Sequence, residues 1–159
     1  MAIELSTAGI KMGYAVEETA GTRPSAGYVV IPSLKSIPSL NPAPDTLETT
    51  DLSQTEYKTY IDGLKDLGGA LTFTANLTQE FTEKWAALMT AYETAKEDGK
   101  QMWFCVAIPG ITNNFFFRGN PSDQGLPAAE VNSVLETEVF ITPTQVEGWQ
   151  TAATFADAE

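Results

Sequence analysis

Apolar and polar positions alternate with a period of two along several stretches of the chain. In residues 71–77, "LTFTANL", every second residue is apolar and the residues between are threonine or asparagine. This period predicts a half-buried β-strand. Shorter apolar runs, bounded by glycine and proline, predict further strands at residues 28–31, 101–108 and 113–118.

The longest predicted strand covers residues 129–142. Extended backbone sends successive side chains to opposite faces of a sheet. The core-facing side of this strand is therefore expected to carry Val131, Leu135, Val139 and Ile141, and the opposite side Glu130, Asn132, Glu136 and Glu138. Val134 and Phe140 also fall on the acidic side, so we do not expect that side to be wholly solvated.

One stretch has helical spacing instead. Five apolar residues fall at i, i+4, i+7, i+8 and i+11, which places them in one stripe of an amphipathic helix: Phe81, Trp85, Leu88, Met89 and Tyr92. Thr78 is a suitable N-cap and Gly99 a suitable residue after the last turn. The pattern predicts a helix over about 78–98, packed on a sheet.

Residues 41–68 follow neither period. They are polar, acidic and dotted with tyrosine, yet they separate two predicted strands of a short chain. Loops of more than about 15 residues without secondary structure are uncommon in compact domains and are usually functional or disordered. This segment carries enough apolar residues to dock on another surface but too few to form a core of its own. We therefore expect a long extended loop that binds something.

The amino-acid composition limits the kinds of catalytic and binding site that the chain can form. The 159 residues carry a formal net charge of −12 and no histidine, so phosphate-based binding of nucleic acid and every imidazole-dependent catalytic or metal site are disfavoured. Glu136 and Glu138 have the spacing of a carboxylate pair, but a solvated strand face explains them better. Cys105 lies in an apolar run and is expected to be buried. We expect no enzyme activity, no cofactor and no metal.

The predicted order of elements is typical of a mostly β protein. We expect one domain over residues 1–159: an antiparallel β-sandwich or open barrel with one packed helix. Its parts are an N-terminal arm with the first strand (1–25), the long loop (41–68), the helix (78–98) and a C-terminal strand with a tail (143–159). No apolar run is long enough to span a membrane, and residues 1–11 lack the pattern of a secretory signal, which predicts synthesis in the cytosol.

In layout, the chain resembles the tail tube protein, or major tail protein, of bacteriophages with long non-contractile tails. The resemblance rests on "SIPSL" leading into the acidic "TLETTDL", on the return "GGALTFT", on the helix around Trp85, and on "FFFRG" running on to "VNSVLETEVFITPT". It covers nearly the whole chain in element order. No single motif in it is strict, and no appended immunoglobulin-like domain is evident.

The resemblance implies a structural protein that self-assembles into hexameric rings, which stack into a hollow tail tube for DNA ejection. Implied partners are further copies of the chain, the tail tape measure protein and the tail terminator. DNA is expected to pass through the lumen without specific binding. The protein would be assembled in the host cytoplasm and located in the virion. The tubes of type VI secretion systems and of phage-like bacteriocins have a similar architecture and are alternatives.

Two sets of residues are predicted to serve this function. In the family, the long loop reaches neighbouring subunits, so the assembly residues are expected to be Leu47, Leu52, Tyr57, Tyr60 and Leu64; the alternative is that they fold back over their own subunit. An acidic wall would let DNA slide, so Glu130, Glu136 and Glu138 are expected to face the lumen, unless they lie on the outside of the ring. A different class of function also stays open: an acidic β-sandwich that captures a basic partner.

Overall fold

The computed structural model describes residues 9–41 and 43–156. Within these ranges it contains one helix and ten strands. Residues 1–8 of the predicted N-terminal arm, residue 42 of the predicted loop and residues 157–159 of the predicted tail lie outside the described residues. The helix α1 is Gln79–Glu97; the strands are β1 (Lys11–Val16), β2 (Ala26–Val30), β3 (Leu34–Ser36), β4 (Ala43–Glu48), β5 (Tyr60–Asp66), β6 (Leu71–Asn76), β7 (Met102–Ala107), β8 (Asn113–Pro121), β9 (Glu136–Thr151) and β10 (Thr154–Phe155).

Eight of these strands form a single sheet that curls into a half-barrel. Their order across the sheet is β10-β2-β1-β7-β8-β9-β6-β3, and every neighbouring pair is antiparallel except β10 and β2. The other two strands, β4 and β5, form a separate two-stranded sheet. The prediction of a mostly β protein with one helix is confirmed, in its open-barrel form.

The central strands are buried on both faces. Alternate residues of β7 enter two different clusters: Phe104 lies in the larger cluster and Cys105 in the smaller one. The larger cluster also receives Phe81, Trp85 and Leu88 of α1. Because both faces of β7 are covered, its sequence is a continuous apolar run instead of an alternating one.

The helix has the predicted boundaries and caps. The Thr78 side chain accepts a hydrogen bond from the Phe81 N–H at 3.1 Å. At the other end, the Lys100 N–H donates to the Ala95 carbonyl and the Gly99 N–H to the Lys96 carbonyl, with Gly99 at φ 72°. This pair of bonds is a Schellman motif, which requires the left-handed conformation that glycine adopts readily.

The predicted strand at 129–142 is wrong in its first half. Strand β9 begins at Glu136, and Asn132 turns the chain with φ 62°. Val131 is 89% exposed and Leu135 42% exposed, so neither belongs to the core, whereas Val139 and Ile141 are buried as expected. The partner strand explains the difference. Strand β6 pairs with β9 only as far as Asn76, because the helix cap at Thr78 follows.

The segment 41–68 forms a β-hairpin that the sequence pattern does not predict. Leu47 lies opposite Ile61, and Glu48 lies opposite Tyr60. None of the described side chains in this hairpin belongs to either hydrophobic cluster. A strand pair without a core-facing side is not required to alternate apolar and polar residues, so the period of two is missing.

Candidate functional site

The hairpin β4–β5 exposes more large apolar side chains than any other part of the described chain. We call this set the hairpin surface: Leu47, Leu52, Tyr57, Tyr60, Ile61 and Leu64. All five residues predicted for assembly belong to it, and each of its members is at least 52% exposed. In this structure they do not fold back onto the core of their own subunit.

Apolar side chains project from both faces of the hairpin. Tyr60 and Ile61 are successive residues of β5 and therefore point to opposite faces. Two-stranded hairpins are only marginally stable alone in water. Clusters of exposed large apolar side chains are typical of surfaces that contact another protein. The hairpin surface thus has the composition of an interface, and neither of its faces is covered.

A second feature is a cleft of about 540 Å³ beside β9, which we call the acidic cleft. It brings together the carboxylates of Asp123, Glu136 and Glu138 with the exposed apolar side chains of Leu126 and Phe140. Glu136 forms an ion pair with Lys35 of β3. The cleft therefore retains two carboxylates without a salt bridge to the described residues.

Glu130 is not part of this cleft. It lies before the start of β9, in a separate concavity lined by Val134 and Leu135. The prediction that Glu130 shares a strand face with Glu136 and Glu138 is therefore wrong, for the same reason that the strand prediction fails there. Glu136 and Glu138 do share the face of β9 opposite the buried Thr137 and Val139.

Sequence reasoning missed Asp123 and Leu126, which a long loop carries to the cleft. This loop is anchored at its start: the Ser122 N–H donates to the Phe140 carbonyl at 2.9 Å, and the Ser122 carbonyl accepts from Trp85 Nε1 at 3.0 Å. The sequence "GNPSDQGLPA" predicts a loop but carries no signal of which strand the loop lies beside.

Two buried titratable groups, Glu17 and Cys105, are possible reactive groups. The Glu17 carboxylate, 1% exposed, accepts hydrogen bonds from Trp103 Nε1 at 2.8 Å, from the Gln101 N–H at 2.9 Å and from the Gly21 N–H at 3.1 Å. Burial raises the pKa of the Cys105 thiol to about 11, which keeps it protonated and unreactive at neutral pH.

No group of three or more cysteine, aspartate or glutamate side chains within residues 9–41 and 43–156 is arranged to hold a metal ion. In the same ranges, no helix has both the length and the apolar composition needed to cross a membrane.

Comparison with known proteins finds a likeness in fold but not in sequence. The chain matches no protein-family model and no curated protein sequence. It does match solved structures of subunits from phage-like contractile injection particles.

Two of these structures were determined by cryo-electron microscopy. One is a chain of the anti-feeding prophage (AFP) baseplate, 6-fold symmetrised, with a TM-score of 0.62 and 8% identity over 93% of this chain and 97% of that chain. The other is a chain of an extracellular contractile injection system, from the PVC sheath/tube terminator in its extended state. Its TM-score is 0.55, with 15% identity over 91% of this chain and 97% of that chain. At these identities the likeness shows a shared fold.

Proposed function

We propose that this chain is a structural subunit of a phage tail or phage-like injection particle. In this proposal it assembles through the hairpin surface into hexameric rings that stack into a tube. The uncovered hairpin surface is the observation that carries the proposal. Support also comes from the shared fold, since one similar chain belongs to a 6-fold symmetrised particle. The similar structures come from contractile particles, so the proposal is not restricted to non-contractile tails.

The size of the hairpin surface suits repeated contacts better than a single one. A large apolar side chain contributes about 1.5–3 kcal/mol when it becomes fully buried. Six of them offer on the order of 10 kcal/mol, whereas association costs about 4–15 kcal/mol. One such contact is weak. A closed ring, in which every subunit both gives and receives the contact, gains from effective concentration and is stable where a pair is not.

Further elements of the proposal concern partners and location. The finished tube would bind a tape measure protein along its length and a terminator at its end, and it would be part of a virion or particle. The face of β9 that carries Glu136 and Glu138 would line the lumen. We propose no catalysis and no cofactor. The alternative of an acidic module that captures a basic partner gains no support from the similar structures.

The proposal is tested by removing apolar area from the hairpin alone. We expect Leu52→Ser/Tyr57→Ser/Leu64→Ser, the hairpin variant, to remain monomeric at concentrations at which the parent forms rings or tubes. These residues are 104%, 80% and 87% exposed, so the fold of the subunit should be unaffected. Sedimentation velocity and negative-stain electron microscopy over a concentration series give the measurement, and circular dichroism checks the fold.

The matched control changes three equally exposed apolar residues elsewhere. Leu126→Ser/Val131→Ser/Val134→Ser alters side chains that are 97%, 89% and 71% exposed on the loop before β9, and this variant should assemble like the parent. A parent that stays monomeric at all concentrations, or a hairpin variant that assembles as well as the parent, would show that the proposed function is wrong.

A further inference from the structure

The half-barrel has an opening between β1 and β2 on one side and β3, the strand at the end of the sheet order, on the other. Strands β2 and β3 are consecutive in the chain, yet β3 is bonded to β6 at the far end of the sheet order. Strand β2 pairs with β1 only at Gly13 and Tyr14, and the Ile31 N–H adds a bond to the Met12 carbonyl at 2.9 Å. Residues of β1 and β3 nevertheless line one groove, so the curl of the sheet brings β3 near β1 although the two strands are not paired.

A groove of about 530 Å³ occupies this opening, and we call it the β1–β3 groove. Its apolar part is formed by Ile10, Val30, Leu34 and Ile37. Its other edge is backbone: within the described residues, β3 pairs with β6 on one side and with no strand on the other. A free strand edge beside an apolar groove is a site where another chain can add a strand.

The charge of the groove is opposite to that of the molecule. Its charged lining residues are Lys11 and Lys35, and no carboxylate lines it among the described residues. These are two of only nine cationic residues in a chain of net charge −12. The charge of Lys35 is neutralised by its ion pair with Glu136, so Lys11 carries the unpaired charge of the groove rim. The exposed Lys11 ammonium lies 4.5 Å from the centroid of the Phe155 ring, which does not line the groove. The groove therefore suits a segment that is both apolar and acidic.

The hairpin is a segment of that kind. Residues 43–66 contain six acidic residues and two lysines, which gives a net charge of −4, interleaved with the leucines and tyrosines of the hairpin surface. No hairpin residue lines the groove of its own subunit. Both strands of the hairpin also have one unpaired edge among the described residues.

We propose that the β1–β3 groove is the receptor for the hairpin of a second copy of this chain. The inference rests on the proposed function and names the surface that the hairpin binds. The apolar hairpin side chains enter the groove, and a hairpin carboxylate approaches Lys11 at its rim. Hairpin and groove are different surfaces, so the contact is head-to-tail. Repetition of such a contact gives a ring when the rotation closes.

The first test reverses the charge of the groove without touching the hairpin. We expect Lys11→Glu, the groove variant, to raise the protein concentration needed for assembly at least about tenfold, because an attractive interfacial contact becomes repulsive. Lys35 is left unchanged, because its ion pair with Glu136 connects β3 to β9 within the subunit. The control Lys84→Glu makes the same change of net charge outside the groove and should shift this threshold less than about twofold. A second variant, Ser36→Trp, adds bulk at the exposed rim of the groove and should also block assembly.

The second test mixes two chains that are each defective in one surface. The hairpin variant keeps its groove, and the groove variant keeps its hairpin. Neither should assemble alone, but the mixture should form a weak one-to-one complex that does not grow and is populated only at high protein concentration, since only one competent contact exists per pair. Native mass spectrometry of the mixture, with one chain isotopically labelled, measures this.

The outcomes separate this inference from the proposed function. A groove variant and a Ser36→Trp variant that both assemble like the parent, or a mixture that forms no one-to-one complex even at the highest protein concentration used, would overturn the groove as receptor. The proposed function is judged by the hairpin variant and its control alone. If the hairpin docks in its own groove, the groove variant should change amide exchange of residues 43–66 in the monomer, and that result would also overturn the inference.

Discussion

Glu17 shows how one buried charge can organise its surroundings. Its carboxylate connects the end of β1 to the backbone before β7, to the turn at Gly21 and to the Trp103 indole. Burial by itself raises the pKa of this carboxyl, but the three hydrogen bonds and the charge of Arg118 outweigh it, so the pKa lies below its ordinary value. The ionised form is therefore the form that stabilises the fold.

Replacement of this carboxylate by an amide should be costly. In Glu17→Gln, one side-chain oxygen can still accept from the backbone N–H groups, but the new NH₂ group then faces the Trp103 N–H. Two donors left without acceptors in a buried site cost about 1–3 kcal/mol, which corresponds to a Tm lower by several degrees for a chain of this size. Thermal unfolding measures the change. Glu18→Gln, at the exposed neighbouring position, is the control and should unfold like the parent.

The same residue gives a pH dependence of defined sign. A carboxyl whose folded pKa is depressed stabilises the protein above its unfolded pKa, about 4.3 for glutamate, and loses that contribution as pH falls through the folded value. The parent and Glu17→Gln should therefore converge in stability as the pH is lowered from 6 to below about 4. A constant difference across this range would contradict the assignment of Glu17 as an ionised buried group.

Among the elements, the helix depends on a cap that the sequence predicts. Thr78→Ala removes the acceptor for the Phe81 N–H and should lower the free energy of unfolding by about 1 kcal/mol. Urea unfolding with an unchanged m-value checks this. Thr82→Ala makes the same change at an exposed position within the first turns of α1, where alanine is the better helix former, and should not destabilise. Equal losses in the two variants would mean that the hydroxyl of Thr78 does not act as a cap.

A helix or strand can be predicted from sequence where one of its faces is buried in the core, because burial requires apolar residues at a regular spacing. Helix α1 is predicted from the buried stripe of Phe81, Trp85 and Leu88. Strand β6 is predicted from the alternation that buries Phe73 and Ala75. Both predictions are confirmed. The start of β9 and the hairpin were not predictable in the same way. Residues 129–132 alternate apolar and polar side chains, but no strand pairs with residues 129–135. Strands β4 and β5 pair with each other but have no core-facing side.

The candidate functional surfaces could likewise be predicted from the sequence only in part. The segment that carries the hairpin surface could be found because its apolar and tyrosine residues have no place in the core pattern. The acidic cleft and the β1–β3 groove depend on contacts between residues far apart in sequence. Lys35, for example, meets Glu136 only because β3 and β9 flank the same strand, β6. No local pattern around either residue indicates that contact.

At the scale of the whole molecule, the curl of the sheet and the free hairpin complement each other. An open half-barrel leaves a groove and a strand edge, and the chain carries, outside its own core, a hairpin with two uncovered faces. The net charge of −12 opposes association of identical copies. The proposed assembly therefore requires Lys11 to lie opposite the acidic hairpin and the remaining acids, such as Glu138 on the exposed face of β9, to lie away from the contact.

The exposed face of β9 that carries Glu136 and Glu138 leads to the last prediction, which concerns the lumen of the tube. Glu138 is the better position to test, because Glu136 already binds Lys35 and a lysine there would disrupt the subunit. If the face lines the lumen, Glu138→Lys should assemble normally, yet the tubes should retain short double-stranded DNA. The lysines on the wall would bind the phosphates of the DNA, which releases its counterions. The retention should fall steeply as salt is raised from about 50 to 200 mM.

The control for this experiment is Glu93→Lys, which makes the same change on the exposed side of α1. Retention of DNA by assembled tubes can be measured by co-sedimentation with a labelled duplex, and cryo-electron microscopy of the tubes locates residue 138 relative to the axis. Equal retention by both variants, or a residue 138 that points away from the axis, would place the acidic face of β9 on the outside of the ring. The tube would then keep its hairpin contacts, and its lumen would be lined by other strands.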